Sequence, residues 1–439
     1  AIWLAHLTVM FTALSAVCAG FCAKCIQTIK TLTTVGTGYV DDVTLFVTLQ
    51  KSHPQTDTQV KRRVRIVATR WEKLLHVTGG KLELSKCFWL PITWKWKKGT
   101  LIMDPGNKSK QALTIKESES GKAIIIPRKK PSDAEKRLGI HYSVDGKWVK
   151  EDTFWKDFSQ NYSLKVAKAN LDRLGGYHAY NTLWCSKFRY VSPVVGFSSQ
   201  QLNIIQKKVI GRCLTSAGYS SKMPRTVVFG PRKYGGMEWE SPLSMLLFEQ
   251  IKLLIGSIRL GDTVGGLLLI QLSWLQLIFG RSVPLLEYSY EIPYLPIVWL
   301  TQLHQKLVNT PITISVPTIW SPAAQRDNDL VIMDYVCSHL PRWTWEPINH
   351  CRLFLHATTI ADITTFDGTT IPEEVVEVAK PYRQSRLQFP LPHRPDKTER
   401  KAWQYLIRYI TNAALKLHTR LGKWIRTPDQ FFPFVYSLN

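Results

Sequence analysis

Hydrophobic positions recur with two different periods along the chain, and the change of period predicts its elements. Residues 37–47 are rich in β-branched and aromatic residues around two adjacent carboxylates, Asp41 and Asp42. Such residues favour a pleated, half-buried backbone, so the stretch predicts a strand, a tight turn and a second strand. From Thr56 or Asp57 onward a 3.6-residue period predicts a helix that ends at Gly79-Gly80. The inward-facing residues of that helix are Val60, Val64, Val67, Trp71 and Leu74.

Most of the remaining pattern is helical, and the predicted fold class is therefore α+β. Trp94-Lys95-Trp96-Lys97 alternates with period two, which is typical of a guarded edge strand or of a nucleic-acid contact. From residue 154 to about residue 260, apolar residues recur every three to four positions, which predicts helices. A basic amphipathic helix is predicted over residues 401–426.

The first 23 residues contain no formally charged side chain, and His6 is their one histidine. A helix of this length is long enough to cross a hydrocarbon layer of about 30 Å. The Thr, Ser, Cys and small residues of this stretch equally suit a tightly packed interior helix, which we prefer. A membrane anchor through residues 1–23 stays open as an alternative, and no basic segment precedes the run as in a signal peptide.

The charge balance indicates a polyanionic partner. The chain has 57 Lys and Arg residues against 33 Asp and Glu residues, a formal net charge of +24 at pH 7. Nucleic acid is the usual partner of so basic a protein. Eight cysteines at irregular spacing do not form a disulfide framework, which favours a reducing, intracellular location in the nucleus or cytoplasm.

Two adjacent carboxylates at a hairpin tip repel each other, and a divalent cation would relieve that repulsion. Polymerases and nucleases hold two metal ions roughly 3.5–4 Å apart between carboxylates. An exposed Asp-Asp turn without function is the alternative interpretation. Tyr39-Val40-Asp41-Asp42 resembles the Tyr-X-Asp-Asp motif of reverse transcriptases.

Further motifs follow in the order of that family. Residues 77–88, Val-Thr-Gly-Gly-Lys-Leu-Glu-Leu-Ser-Lys-Cys-Phe, resemble the segment after the catalytic hairpin, although Glu83 replaces the usual Asn. Residues 136–140 with Asp145-Gly146 resemble the primer-gripping hairpin between palm and thumb. Residues 224–231 and 233–237 are similar to a segment beyond the thumb in polymerases of non-LTR retrotransposons.

The resemblance implies a C-terminal fragment of a reverse transcriptase, without the fingers and the first palm strand and inactive by itself. Residues 1–150 would be a partial palm, an antiparallel sheet with helices that carries the catalytic hairpin and the primer-grip segment. Residues 151–280 would be a helical thumb with its adjacent region. Residues 281–325 would be a proline-containing connection, and residues 326–439 a mainly helical, basic C-terminal region.

The implied reaction is templated transfer of nucleotides from dNTPs to a DNA primer on an RNA template, by a two-metal mechanism with Mg²⁺ or alternatively Mn²⁺. Asp41 and Asp42 would be the metal ligands, and Lys86 a candidate proton donor to the leaving pyrophosphate. The resemblance implies primer or substrate contacts for Tyr39, Gly79, Gly80, Leu138 and Gly139. Candidate nucleic-acid contacts are Arg62, Arg63, Lys95, Lys97, Arg128, Lys129 and Lys130.

A second class of function is a basic, non-catalytic RNA-binding protein derived from such a polymerase. It would bind nucleic acid with a steep salt dependence and without Mg²⁺-dependent primer extension. The sequence disfavours a membrane partner and does not identify a protein partner.

Overall fold

The computed structural model describes residues 2–15, 20–26, 31–39, 42–48, 57–83, 86–97, 100–104, 112–308, 310–382, 387–390 and 393–425. It is an α+β protein that combines helices with small antiparallel sheets. The chain divides into two compact units. Unit 1 is Ala1–Lys97, Leu101–Gly139 and Ser143–Asp145, and unit 2 is Lys98–Thr100, Ile140–Tyr142 and Gly146–Asn439.

Unit 1 is built from two helices and a series of two-stranded sheets, in which β1 pairs with β2, β3 with β4, β5 with β6 and β7 with β8. Its elements are α1 (Ile2–Ser15), β1 (Phe21–Lys24), β2 (Thr31–Thr34), β3 (Gly36–Tyr39), β4 (Asp42–Leu45), α2 (Asp57–Val77), β5 (Trp94–Lys97), β6 (Thr100–Met103), β7 (Leu113–Lys116), β8 (Ala123–Ile126) and β9 (Glu135–Arg137).

The two predicted strands on either side of the paired carboxylates are confirmed. Strands β3 and β4 are antiparallel, and their register places Tyr39 opposite Asp42 and Gly36 opposite Leu45. Val40 and Asp41 are therefore the two-residue connection, and they lie outside the described residues.

One face of the β3–β4 hairpin is buried against both helices of unit 1. We call the buried cluster formed by Met10, Leu14, Val67, Trp71 and Leu75 the hairpin core. Val43, Leu45 and Val47 of the hairpin strand and its extension pack against it. Helix α1 contributes Met10 and Leu14 to this core, whereas Val9, Thr12 and Ala13 are exposed, so its described part is buried on one face only. The helix is also shorter than the apolar stretch, because it ends at Ser15 and Phe21 begins a strand.

Helix α1 approaches the backbone of β3 so closely that residue 36 has no room for a side chain. A Cβ on Gly36 would lie 2.6 Å from the carbonyl oxygen of Thr44 and 2.8 Å from Cε1 of Phe11. The Phe11 ring is in turn stacked on Trp71 of α2, with the ring centroids 5.6 Å apart. Glycine at this position lets the two helices and the hairpin meet.

Helix α2 follows the prediction from its start to its end. It spans Asp57–Val77, with Val67 and Trp71 buried. Gly79 has a positive φ of 78°, the Gly79 N–H donates to the His76 carbonyl, and the Gly80 N–H donates to the Leu75 carbonyl. These two bonds form a Schellman motif, in which glycine accommodates the left-handed residue that ends a helix.

A second cluster of unit 1 lies under the β7–β8 hairpin, where Leu113, Ile115, Ile124 and Ile126 are buried together with Trp89. The side chain of Glu72, buried on α2, accepts hydrogen bonds from the backbone N–H (2.8 Å) and the hydroxyl (2.5 Å) of Ser118 in the turn of this hairpin. Helix α2 is thereby joined to both hairpins.

The regular secondary structure of unit 2 is almost entirely helical. Its elements are β10 (Ile140–Tyr142), α3 (Val149–Lys168), α4 (Arg173–His178), a π-helical turn (Ala179–Trp184), α5 (Cys185–Val191), α6 (Ser199–Ser216), α7 (Arg225–Phe229), α8 (Pro242–Leu260), α9 (Thr263–Phe279), α10 (Trp299–Leu307), α11 (Ile332–His339), α12 (Trp345–Leu355), α13 (Glu373–Val376) and α14 (Lys397–Ile410), with short 3₁₀ turns at Arg232–Tyr234, Leu285–Glu287, Arg342–Thr344 and Ile360–Ile363.

Two hydrophobic clusters organise unit 2. The first is centred on α3, α5 and α6 and contains Trp155, Trp184 and Phe188, all fully buried. The second extends from α8 to the end of the described chain. Leu285, Leu300 and Leu303, from the segment predicted as a connection, belong to the second cluster. The division into four domains stays a prediction.

Helices α8 and α9 of unit 2 are apolar and follow each other directly along the chain. No single described helix is long and apolar enough to cross a membrane. The pair α8 and α9 meets both criteria only when taken together, and it is bent by 107° at the break. Helix α9 contributes Leu272, Leu275 and Phe279 to the second cluster, as expected for a core helix.

The prediction of one helix over residues 401–426 is wrong. Helix α14 ends at Ile410, and Thr411 has an extended backbone. The side-chain oxygen of Asn412 accepts hydrogen bonds from the backbone N–H groups of Ala414 and Lys416, and Leu415 has a positive φ of 56°. Asn and Thr form such local bonds in turns, which outweighs the apolar periodicity of the following residues.

We predict that Gly36→Ala loosens the hairpin, because the added methyl group meets the Thr44 carbonyl and the Phe11 ring. The free energy of unfolding should fall by about 1–3 kcal/mol, which is the usual effect of overpacking a core. Hydrogen exchange in peptides covering β3 and β4 measures it. Gly256→Ala, in the interior of α8 with nothing within 4 Å of the new Cβ, is the matched control and should be neutral or stabilising. Unchanged exchange in Gly36→Ala would contradict this packing.

Asp362 provides a prediction about pH. It is buried and accepts hydrogen bonds from the Thr358 and Thr359 N–H groups, the Thr358 hydroxyl and the Gln325 amide. Burial nonetheless raises the pKa of its carboxyl to about 6. Between about pH 4 and 6 the folded chain therefore holds a proton that the unfolded chain releases, so this residue's contribution to stability falls as pH rises through that window.

We expect the wild type to lose on the order of 3 kcal/mol relative to Asp362→Asn between pH 4 and pH 7, because the amide does not titrate. Urea denaturation at several pH values measures the difference. Asp367→Asn is the control, since hydrogen bonds from Thr365 and Thr369 lower the pKa of Asp367 to about 2 and keep it ionised throughout the window. Parallel pH profiles for wild type and Asp362→Asn would refute the prediction.

Candidate functional site

The β3–β4 hairpin has a core face and an outer face. Successive residues of a strand point to opposite faces, and directly paired residues share a face. Val43 and Leu45 pack on the hairpin core, so positions 42 and 44 belong to the outer face. Their register partners, positions 39 and 37, belong to it as well. The acidic end of the hairpin is thus at the edge of a sheet whose apolar face is already covered.

Arg137 joins the predicted primer-grip segment to this outer face. Its guanidinium donates a hydrogen bond to the hydroxyl of Thr44, and it also lies over the ring of Phe88, 5.4 Å from the centroid. Thr44 stands two residues after Asp42 on the same strand. Residues 93 positions apart in sequence are therefore in contact, two positions after Asp42 on β4.

The segment that contains Lys86 is held by the basic residues 128–129. The Trp89 N–H donates to the Pro127 carbonyl and the Lys129 N–H donates to the Trp89 carbonyl, each at 3.0 Å. The Arg128 guanidinium lies 5.3 Å from the centroid of Trp89, and Lys129 Nζ lies 4.3 Å from that of Phe88. Lys86 itself is exposed, and its N–H donates to the Glu83 carbonyl.

Phe88, in the segment that contains Lys86, is in contact with the primer-grip segment and, through Arg137, is linked to the hairpin. Arg137 and Lys129 both approach its ring, and Arg137 continues to Thr44 of the hairpin. Lys129 also forms an ion pair with Glu135 at 2.5 Å, so part of the positive charge is neutralised locally. The site combines a polar strand face, an aromatic ring and cations within unit 1.

The other predicted residues are placed as follows. Gly79 and Gly80 follow helix α2 and form the hydrogen bonds that end it. Leu138 and Gly139, both at positive φ (47° and 82°), form the turn that follows β9. Lys130 is exposed, and its N–H donates to Asp133. The roles given to these residues stay predictions.

Several predicted residues are described only in part. On α2, Arg62 is exposed and Arg63 is half-buried. The backbones of Tyr39, Asp42, Lys95 and Lys97 lie in strands β3, β4 and β5, and their side chains are outside the described part of the structure. Asp41 is outside it entirely.

The metal prediction depends on residues that the structure does not describe. Among the described residues, no three or more His, Cys, Asp and Glu side chains are grouped so that they could hold a metal ion. Asp41 and Asp42 do not enter that search. The two-metal site therefore stays a prediction from the sequence.

Sequence reasoning did not identify Thr44, Phe88 or Arg137 as site residues. Phe88 and Arg137 stand within the motifs, but only their neighbours were singled out. For Thr44 a signal existed, because it follows Asp42 by two positions in a predicted strand and so shares its face. The contact that joins these residues is tertiary, and one sequence carries no local sign of it.

Neither known protein families, nor curated proteins, nor solved structures include a match to this chain.

We predict that Arg137→Gln releases the primer-grip segment from the hairpin, because it removes a charged hydrogen bond and the contact with Phe88. A charge-assisted hydrogen bond contributes about 1.5–3 kcal/mol, so exchange of backbone amides at residues 86–89 and 135–139 should rise about tenfold or more. The neighbouring Lys136→Gln removes the same charge from an exposed position and is the matched control. Equal exchange in both variants would show that the Arg137 contacts are dispensable.

Proposed function

We propose that this chain contributes the catalytic hairpin and the primer-grip segment of an RNA-directed DNA polymerase of the non-LTR retrotransposon type. The observation that carries the proposal is the register of β3 and β4, which pairs Tyr39 with Asp42 and leaves Val40-Asp41 as the connection. The motif Tyr-X-Asp-Asp is then the tip of an antiparallel hairpin, as the resemblance requires.

The packing of unit 1 supports the same proposal. Val43 and Leu45 pack against the hairpin core, so position 42 belongs to the outer face of the hairpin. A carboxylate directed into the hairpin core would be strongly destabilising, and the register of β3 and β4 keeps an acidic position out of that core. A two-stranded sheet backed by two helices is what we expect of a palm.

The convergence of motifs on Phe88 is a second support. In the proposed polymerase, the segment of Lys86 lies beside the incoming nucleotide, and the segment of Arg137 grips the primer. The contacts of Arg137 with Phe88 and Thr44 bring both segments to the hairpin. Motifs that are 40 to 100 residues apart in sequence are thereby joined in one unit.

In the proposed mechanism Asp41 is a direct metal ligand and Asp42 the less direct one, because neighbouring positions of an extended backbone diverge. Bound Mg²⁺ would activate the primer 3′-hydroxyl and neutralise the departing pyrophosphate. Tyr39 would pack near the primer end, and Lys86 would donate a proton to the leaving group. Lys130 and the exposed face of α2 would contact backbone phosphates, without reading sequence.

We propose that the first cluster of unit 2, from α3 to α6, is the thumb. Its helices are held by fully buried aromatic residues, among them Trp155 and Trp184. Their outer surfaces carry lysines such as Lys165 and Lys168 in the last turn of α3. A rigid basic helical body can hold a template–primer duplex through its phosphates.

The test is primer extension by the longer polymerase that the resemblance implies, assayed on an RNA template with Mg²⁺. Asp41→Asn should lower synthesis by at least about a thousandfold, because the direct metal ligand is lost. RNA binding should persist. Asp133→Asn, a carboxylate variant in a turn of the same unit, should synthesise DNA like the wild type. Retained synthesis in Asp41→Asn would reject the assignment.

A basic RNA-binding protein derived from a polymerase is the second candidate, and the net charge of +24 favours it. The primer-extension assay distinguishes this candidate from the polymerase. Binding that weakens steeply with salt, in a protein that shows no Mg²⁺-dependent extension even with the complete palm and fingers, would select this candidate.

A further inference from the structure

Five aromatic side chains follow one another across the surface formed by α11, the 3₁₀ turn at Arg342–Thr344 and α14. We call this set the aromatic row. Its ring centroids are separated by 6.2 Å, 6.5 Å, 6.2 Å and 4.4 Å, in that order along the row. The members of the row, in order, are Trp343, Tyr405, Tyr409, Tyr335 and His339.

The aromatic row is exposed. Trp343 retains 66% of its accessible surface, Tyr409 retains 47% and Tyr405 retains 41%. Large aromatic side chains usually bury most of their surface in a core or an interface. Here the opposite face of α14 supplies the core, through Trp403, Leu406 and Ile407, so the exposed rings are not needed to hold the helix in place.

Cations accompany the rings. Lys401, Tyr405 and Tyr409 follow one another at four-residue spacing on α14, so they share one face of the helix. Arg408 on the same helix and Arg342 beside Trp343 are exposed. Among the ion pairs of the described chain, none involves Lys401, Arg408 or Arg342.

Few acidic side chains are close in sequence to the members of the aromatic row, and most of these few already have a basic partner. Asp334 on α11 is paired with Arg281 at 2.7 Å, and Glu399 on α14 accepts from His350 at 2.6 Å. Glu346, at the start of α12, is exposed. The surface around the rings is therefore basic overall, in a chain that carries 24 excess positive charges.

We propose that the aromatic row binds single-stranded nucleic acid, with bases stacked on the exposed rings and phosphates held by the adjacent Lys and Arg side chains. Exposed aromatic rings interleaved with cations are how proteins hold single strands without sequence preference, because every base offers a flat face. An apolar protein partner would not need the cations. The aromatic row belongs to unit 2 and the β3–β4 hairpin to unit 1, so the proposal does not depend on polymerase activity.

The experiment measures fluorescence anisotropy of a labelled oligouridine of about 12 nucleotides, a length within the usual site size for single strands. Trp343→Ala and Tyr405→Ala should each weaken binding by roughly tenfold, since each stacked base contributes about 1–3 kcal/mol. Tyr290→Ala, which removes a ring that is 70% exposed elsewhere in unit 2, is the matched control and should bind like the wild type.

The salt dependence of binding distinguishes the contribution of the cations from that of the rings. Arg408→Gln should lower the slope of log affinity against log salt by about 0.7, because one phosphate contact is lost. Tyr405→Ala should leave that slope unchanged and lower affinity at every salt concentration. Glu346→Gln should tighten binding, since it removes the exposed acid beside the rings.

Three outcomes would overturn the proposal. The first is unchanged affinity in Trp343→Ala and Tyr405→Ala, and the second is an equal loss in Tyr290→Ala. The third is a loss of binding to phosphatidylserine vesicles without a change for oligouridine, which would assign the surface to a membrane. The assay measures binding of oligouridine and not primer extension, so failure of the polymerase assignment and failure of this one are distinguishable.

Discussion

The contact between helix α1 and the backbone of β3 is the constraint on which unit 1 depends. Because residue 36 is glycine, the Phe11 ring reaches the strand and stacks on Trp71 of α2. The three elements then share one core, which also receives Val43 and Leu45. A slip of one residue in β4 would turn positions 42 and 44 into that core, where a carboxylate is strongly disfavoured. Burial therefore fixes the register of the hairpin.

Helix α2 extends this constraint to the rest of unit 1. Val67 and Trp71 face the hairpin core, while Val64 and Ala68 pack on the cluster under β7 and β8. The Glu72 carboxylate holds the turn of that second hairpin through Ser118. Two small sheets that would be marginal in isolation are stabilised by one helix.

Local pattern was enough for the parts of the fold that local forces determine. The hairpin followed from its β-prone residues, and α2 followed from its period and its terminal glycines. Periodicity failed at α14, where Asn412 and Thr411 make turn hydrogen bonds that a count of apolar residues does not register. The contact of Arg137 with Thr44 joins residues 93 positions apart, so no window of a single sequence reveals it.

The two proposed functions require different side chains, and these side chains lie in different units of the chain. The proposed polymerase site needs carboxylates at a defined position, and in unit 1 the register of β3 and β4 places position 42 opposite Tyr39. Non-specific binding of a single strand needs exposed rings and exposed cations, and unit 2 presents both around Tyr405 and Arg408. Stacking is insensitive to salt, whereas phosphate contacts weaken as salt rises. Net charge alone would produce only binding that weakens as salt rises. The exposed rings, rather than the excess of lysine and arginine, therefore distinguish the surface proposed for unit 2.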